Sequence, residues 1–449
     1  MMNIRRIATL IIFTVSSVQA ATPPTPPAQP ATAGALTLVS ALKLGLDYSP
    51  DIKSAASQVK GAADATAKAK GLIFPTITGV ASATNSQNST TFTTASAPST
   101  GSATGDTYSV AVNLSQPIYA GGAITSGLDY YKAGEDVSQQ NYFNVKQTLI
   151  LNLLTAYYAL AQAQESLAAA ESNRDILKSY TDITSYYERI GRSRKIDLMQ
   201  AQVNWSLALS DVETDQVALK TAIANMNHYL GESNDHPVRA DFKVSVSPVG
   251  PITLDQAYDA GVKNNPVIRS AVIALEQVQY TEDIDLAQDL PSLSLVGSEG
   301  FKSPDTGSLW YQSSNQYSIG LNLTVPIFTG FSSFAKRSGY EEQKYQAEKA
   351  IQIAKDNMRN SLQNDIAAIR SAQLQLNLAV ASVKQSRTAL ELANKAYRQG
   401  TASSLDVINM QNVRYSSEKL FVSSQYAYLQ ALLNLRQQMG IDLEKAYEH

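Results

Sequence analysis

The chain has 449 residues, 36 Lys and Arg against 39 Asp and Glu, a formal charge of −3, and no cysteine. Without cysteine there is no disulfide, no thiolate chemistry and no Cys-based metal site. The slightly acidic balance gives no support to nucleic-acid binding.

Residues 1–20 read as a secretory signal. Arg5 and Arg6 start it, Ile7 to Val18 form an apolar run too short to span a bilayer, and Val18-Gln19-Ala20 offers a small-residue cleavage site. Loss of the two arginines takes the charge to −5. A Pro-rich leader over 21–36 cannot pack. No later stretch approaches eighteen uninterrupted apolar residues, so a helical membrane span is not expected.

The rest of the chain says the same thing twice. Thr37-Leu38 through Ser49-Pro50 returns as Thr253-Leu254 through Asn265-Pro266, at an offset of 216. Tyr108-Ser109-Val110 through Gly121 returns as Tyr317-Ser318-Ile319 through Gly330 at 209, an offset kept by Gly191/Gly400, Asp197/Asp406 and Gly231/Gly440. A duplication this long sets the architecture before any single residue is read. It divides the chain into a first repeat over 37–231, an equatorial connector over 232–252, a second repeat over 253–440 and a tail over 441–449.

Within each repeat the expected order is half-helix, two strands, long helix, half-helix. The first half-helix runs from about Thr37 to Gly71. Strands follow at about 76–86 and 106–117, and in the second repeat at about 291–301 and 315–326. Tyr108, Val110, Val112 and Leu114 alternate with small or polar residues, as do Tyr317, Ile319, Leu321, Leu323 and Val325. Such alternation suits a barrel strand with one face to lipid and one to a lumen. It also suits a soluble hairpin with one wet face. The Ser/Thr/Gly-rich Ser86 to Asp106 reads as an exposed loop.

Gly122 to Ile190 and Phe331 to Gln399 lack proline and reach about 100 Å each as helices. Down the second runs a seam of 4-3 spacing from Leu362 through Ile366, Ile369, Leu376, Val380, Val383, Arg387 and Leu390 to Tyr397, the period of a coiled coil. The half-helices, including Ile196 to Leu230, are half that length, so two stacked end to end match one long helix. Four strands are too few to close a barrel, whose smallest closed forms have about eight, and open edges are not tolerated in lipid. Other copies must complete it: two would give eight strands, three twelve.

Several segments resemble the TolC family of outer-membrane efflux proteins. Pro117 to Gly121 and Pro326 to Gly330 look like that family's strand-to-helix junctions. Tyr397-Arg398-Gln399-Gly400-Thr401-Ala402-Ser403-Ser404-Leu405-Asp406-Val407 and Glu188 to Asp197 look like its two helix-turn-helix tips. The likeness covers essentially the whole mature chain. It implies a homotrimer with a twelve-stranded barrel in the outer membrane of a Gram-negative bacterium above a helical tunnel in the periplasm. It further implies partnership with a periplasmic adaptor and a proton- or ATP-driven inner-membrane transporter. The implied role is a passive exit duct for efflux or type I secretion. The contrasting reading is a periplasmic coiled-coil scaffold or adaptor without a pore.

A duct does no chemistry, so no enzyme activity, cofactor or metal is expected; His228 and His236 lack acidic company, and no catalytic motif occurs. The expected functional residues lie at the tips. Gly191 and Gly400 end the long helices, and with Arg189, Arg192, Ser193, Thr401 and Ser403 they form the candidate adaptor contact. Asp197 and Asp406 begin the returning helices, where a carboxylate suits the dipole, and in a ring of copies they would favour cations. The resemblance assigns Tyr397 and Asp197 to the network that holds the entrance shut. It also marks two departures: Ala402 stands where a family member has a latch arginine, and Asn409 where it has a second ring aspartate. Arg398, Arg192 or Arg194 are the candidate substitutes for that arginine.

Overall fold

The computed structural model describes residues 35–94, 97–241, 250 and 252–447. The expected signal, most of the leader, the connector residues 242–249 and 251, and the end of the tail lie outside them. In chain order the elements are β1 (Ala35–Leu36), α1 (Leu38–Tyr48), α2 (Pro50–Gly71), β2 (Thr76–Thr94), β3 (Ala97–Ala120), α3 (Ala123–Arg189) and α4 (Lys195–Leu230). Next come β4 (Arg239–Ala240), α5 (Leu254–Asn264), α6 (Pro266–Ala287), β5 (Ser292–Ser303), β6 (Asn315–Thr324), α7 (Ser332–Arg398), α8 (Ser404–Gln438) and α9 (Leu443–Tyr447).

The first half-helix of each repeat is in fact two helices. Pro50 and Pro266 have no N–H to continue a helix and instead open α2 and α6 at the first position, where that donor is not needed. Ser49 and Asn265 cap those starts, the Asn265 side chain accepting from Val267 N at 2.9 Å. The long helices α3 and α7 are each 67 residues. They end alike: Gly191 and Gly400 both take φ of +75°, with Arg192 N donating to Tyr187 O and Thr401 N to Ala396 O. This left-handed close satisfies carbonyls the last turn leaves orphaned, and glycine adopts it most cheaply.

Helix α3 packs on α2 and α6 in one half of its length and on α4 and α8 in the other; α7 packs on α6 and α8. One long helix thus lies beside two shorter ones. The buried line down α7 departs from the expected seam. It passes through Ala379 and Ser386, not Val380 and Arg387, both of which are exposed. The buried face turns because the partners change along α7: Met358 and Leu362 pack with Ala257 of α5 and Ile268 of α6, Ala372 and Leu376 with Tyr428 of α8.

The main core sits near mid-height. Leu153, Leu154, Tyr157 and Leu160 of α3 meet Leu42, Met226, Leu433 and Leu443. Tyr157, fully buried, donates its hydroxyl to Leu36 O at 2.9 Å, beside the parallel β1–β4 pair. The tail closes over this belt, Gln147 binding both Asp442 and the backbone N of Leu443.

The larger sheet is antiparallel in the order β2-β3-β5-β6 and stays open, with β2 and β6 as edges. The first hairpin is longer than expected. The stretch taken for a loop at Ser86 to Asp106 continues the ladder as far as Thr94↔Ala97, because threonine-rich backbone pairs well without apolar alternation. Register assigns every residue to a face, since cross-strand partners share one. Ile77, Val110, Val112, Leu114, Leu293, Leu295, Phe301, Ile319, Leu321 and Leu323 share one face; Thr76, Thr78, Ser82, Ser109, Asn113, Ser115, Ser294, Ser298, Ser318 and Asn322 share the other. On β6 the apolar side chains are bare, from 84 % exposure at Tyr317 to 63 % at Leu323. Below them Phe328, Phe331 and Phe334 form an exposed aromatic group at the junction with α7, the first pair edge to face and the second tilted. Phe331 keeps a left-handed φ of +61° where the first repeat has Gly122 at +94°. No described helix is long and apolar enough to cross a membrane.

Candidate gate at the helical tips

The α3–α4 and α7–α8 turns face one another across a cleft of about 600 Å³. Its lining includes Gly191, Arg192, Ser193, Asp197, Tyr397, Gly400, Ala402 and Ser403, together with Tyr187, Arg194, Arg398 and Ser404. Most of the sequence-predicted site residues are therefore brought together. Arg189, Thr401, Asp406 and Asn409 are exposed nearby and do not line it.

Each returning helix is started by its aspartate. The buried Asp197 carboxylate accepts from Arg194 three times, from Nη2 at 3.0 Å and from the backbone N and Nε at 3.2 Å. The Arg194 hydrogen bonds hold the acid below the usual carboxylate range despite its burial. At the second tip Ser403 and Asp406 form a capping box, Ser403 N and Oγ donating to Oδ2 at 2.8 and 2.7 Å and Asp406 N donating back to Ser403 Oγ. Those bonds, the hydroxyl first, likewise lower the pKa of Asp406.

Tyr397 hangs between the tips. Burial pushes its phenol up to about 12, with Tyr180 and the Asp197 charge adding to the shift, so it is a neutral donor at any physiological pH. No hydrogen bond joins it to Asp197 among the described residues. Its ring instead lies 6.1 Å from that of Tyr180. The Tyr180 hydroxyl binds Ser404 Oγ at 2.6 Å and Ser404 O at 3.2 Å, tying α3 to the start of α8. Above it Gln411 donates to Asn173 at 2.9 Å in a buried pair, Asn412 to Asn204 at 3.1 Å, and Lys419 binds Asp215 at 3.1 Å. The apolar contact here is thin, essentially Ala170, Val212 and Tyr415.

The sequence reading assigned no gate role to Tyr180, Ser404, Asn173 or Gln411. Their partners come from the other repeat, more than 200 positions away, so no local pattern points to them. Of the candidate substitutes for the missing arginine, Arg194 is engaged by its own helix's Asp197, while Arg192 and Arg398 line the cleft without an ion pair among the described residues. Nor do the described residues contain a group of three acidic or histidine side chains placed to hold a metal.

A sheet with one largely apolar and one largely polar face, mounted on helices of this length, is the architecture of a channel protein. The chain belongs to the family described as "Outer membrane efflux protein", which it matches over residues 41–232 and 257–441. It is 22 % identical over 423 residues to the alkaline protease secretion protein AprF of Pseudomonas aeruginosa, covering 91 % of this chain and 85 % of AprF. It is 25 % identical to the solvent efflux pump outer membrane protein SrpC of Pseudomonas putida, covering 90 % and 85 %. The fold matches the CmeC outer membrane channel of Campylobacter jejuni with a TM-score of 0.75 at 21 % identity, over 92 % of this chain and 88 % of that one. The protein is thus an outer-membrane exit duct of the efflux and type I secretion class, as the resemblance implied. The pore-free scaffold reading falls away.

Proposed function

We propose that three copies of this chain join edge to edge into a twelve-stranded barrel over a helical tunnel, and that the tips described above gate its periplasmic mouth. The observation that carries the reading is the open sheet. Its apolar face needs lipid, its polar face suits a water-filled lumen, and its free edges require neighbours. Two internally similar halves per chain, each with two strands, one long helix and shorter helices, give such a ring sixfold character in its helices.

In this reading Tyr397 and Asp197 are closing elements of the gate. Asp406 forms a ring of three carboxylates near the mouth, with Asn409 one turn further along α8 and uncharged. Ala402 supplies no latch. Arg189, Gly191, Arg192, Ser193, Gly400, Thr401 and Ser403 form the surface for a periplasmic adaptor, which couples the duct to an inner-membrane transporter. Energy comes from that transporter; this chain only conducts.

Single-channel recording of the detergent-purified protein in a planar bilayer tests the proposal. Small cation-selective steps, reduced by divalent cations, are the expected result. Failure to conduct under any condition would remove the duct reading.

A further inference from the structure

Both long helices carry side elements on one face only near mid-height. On α3, Leu153 shares a core with Leu42 of α1, Tyr157 donates to Leu36 O of β1, and Lys146 pairs with Glu444 of α9. On α7, Met358 and Leu362 pack with Ala257 of α5, and Arg359 pairs with Asp255 at 4.0 Å. A duct must keep its bore clear, so these covered faces are the outer ones. Neighbouring helices take the flanks, and the face opposite the side elements looks into the bore.

The residues on those opposite faces are of one kind. On α3 they are Asn141, Asn144, Thr148, Asn152, Thr155 and Gln162, about 175° round the helix from Lys146, Ile150, Leu153 and Tyr157. On α7 they are Asn357, Asn360, Asn364, Ser371 and Gln375, about 170° from Met358, Arg359 and Leu362. Apart from the half-buried Gln162, every one is exposed. Thr148, Thr155 and Gln162 match Asn357, Asn364 and Ser371 at the repeat offset of 209, so the identities differ while the neutral polar character is kept. The lines run for about 32 Å and about 27 Å.

Charge is kept off both lines. Between positions 141 and 170 the charged residues of α3 are Lys146, on the outer face, and Glu165, about 90° away beside Tyr426 of α8. Between 357 and 375 those of α7 are Arg359, Asp365 and Arg370, all more than about 100° from the line. The polar face of the sheet repeats the pattern. Among its described side chains the one charge is Lys302, which shares that face by pairing with Ser109. Carboxylates border the α3 line at two grooves: Asp51 of α2 beside Asn144, Thr148 and Asn152, and Asp215, held by Lys419, beside Gln162. A fixed charge in a narrow bore with low-dielectric walls makes a well for cargo of one sign and a barrier for the other. Amides and hydroxyls hold water by hydrogen bonds without such a field.

We infer that these faces of α3 and α7 form a neutral amide and hydroxyl wall at mid-height of the bore, which passes hydrated cargo of either charge without retaining it. The inference rests on the duct reading above and deepens it, since it names the property of the cargo that the wall ignores. In the order α2-α3-α6-α7, every second helix of the ring contributes to this wall.

The natural absence of cysteine makes the test clean. Full-length Asn152→Cys and Asn364→Cys are recorded as single channels in a salt gradient. Each is labelled with a cationic trimethylammonium or an anionic sulfonate methanethiosulfonate, and decalysine or decaglutamate is then added on the barrel side. Arg370→Cys, on the outer half of α7, is the control. The cationic label should shift the reversal potential toward anions and lengthen the dwell of decaglutamate. The anionic label should shift it toward cations and lengthen the dwell of decalysine, and the control should answer to neither. Conducting channels in which labels at positions 152 and 364 change nothing would overturn the neutral wall and leave the duct standing. Protein that never conducts would overturn the duct reading and the wall with it.

Discussion

Replacing Tyr180 by Phe removes one oxygen from the seam between α3 and α8 and leaves the ring beside Tyr397 in place. That oxygen binds Ser404 Oγ at 2.6 Å and Ser404 O at 3.2 Å, and Ser404 is 4 % exposed, so water cannot readily replace it. A lost hydrogen bond of this kind costs about 1 kcal/mol, rising to about 3 kcal/mol when a buried partner is left unsatisfied. If the tips widen by parting α8 from α3, each protomer's equilibrium shifts toward the wide state by a factor of about 5 to 150. The assay is single-channel conductance of Tyr180→Phe beside wild type, with the occupancy of large steps as the readout. Ser404→Ala should raise it similarly, and the double variant should add little, because both changes remove one interaction. Unchanged or smaller steps in Tyr180→Phe, from protein that inserts normally, would refute the idea that this seam restrains the tip.

Three further outcomes are expected. Asp197 and Asp406 both have depressed pKa values in the folded protein, so their caps contribute fully above the ordinary aspartate value and are lost as pH falls below about 4; hydrogen exchange at the Gly191 and Gly400 turns should rise there, and Asp197→Asn with Asp406→Asn should abolish the step. Gly440→Ala should lower the melting temperature, because φ there is +67° and an added Cβ would lie 2.6 Å from the Asn264 carbonyl carbon; left-handed strain alone is about 1–2 kcal/mol, whereas an alanine at Gly191 meets nothing within 4 Å and bears only that strain. Asn409→Asp should strengthen block by divalent cations in bilayer recordings by adding a second carboxylate ring, and a block no stronger than wild type would count against a constriction at this level.

Much of this protein was legible before any coordinates. The repeated Pro-Ile-aromatic-x-Gly junctions, the paired glycines and the proline-free stretches specify where helices and strands begin and end, because caps, turns and period-two alternation act between near neighbours in the chain. The tip aspartates were visible for the same reason: Asp197 and Asp406 act on backbone three residues away. Two local signals were nonetheless underread. Ser49-Pro50 and Asn265-Pro266 marked the duplication, yet their power to split a helix was passed over, and the Thr-rich run after Asn85 was taken for loop although its backbone pairs to the end.

Only the tertiary structure decided which residues meet across repeats. Tyr180 with Ser404, and Asn173 with Gln411, join positions more than 200 residues apart, and polar side chains on a long helix look alike whether they face water or a buried partner. Which of two adjacent positions carries the α7 seam was also settled there. Spacing along the chain does not show it, because the face α7 buries turns as its partners change from α5 and α6 to α8, until Ala379 and Ser386 lie inward and Val380 and Arg387 do not.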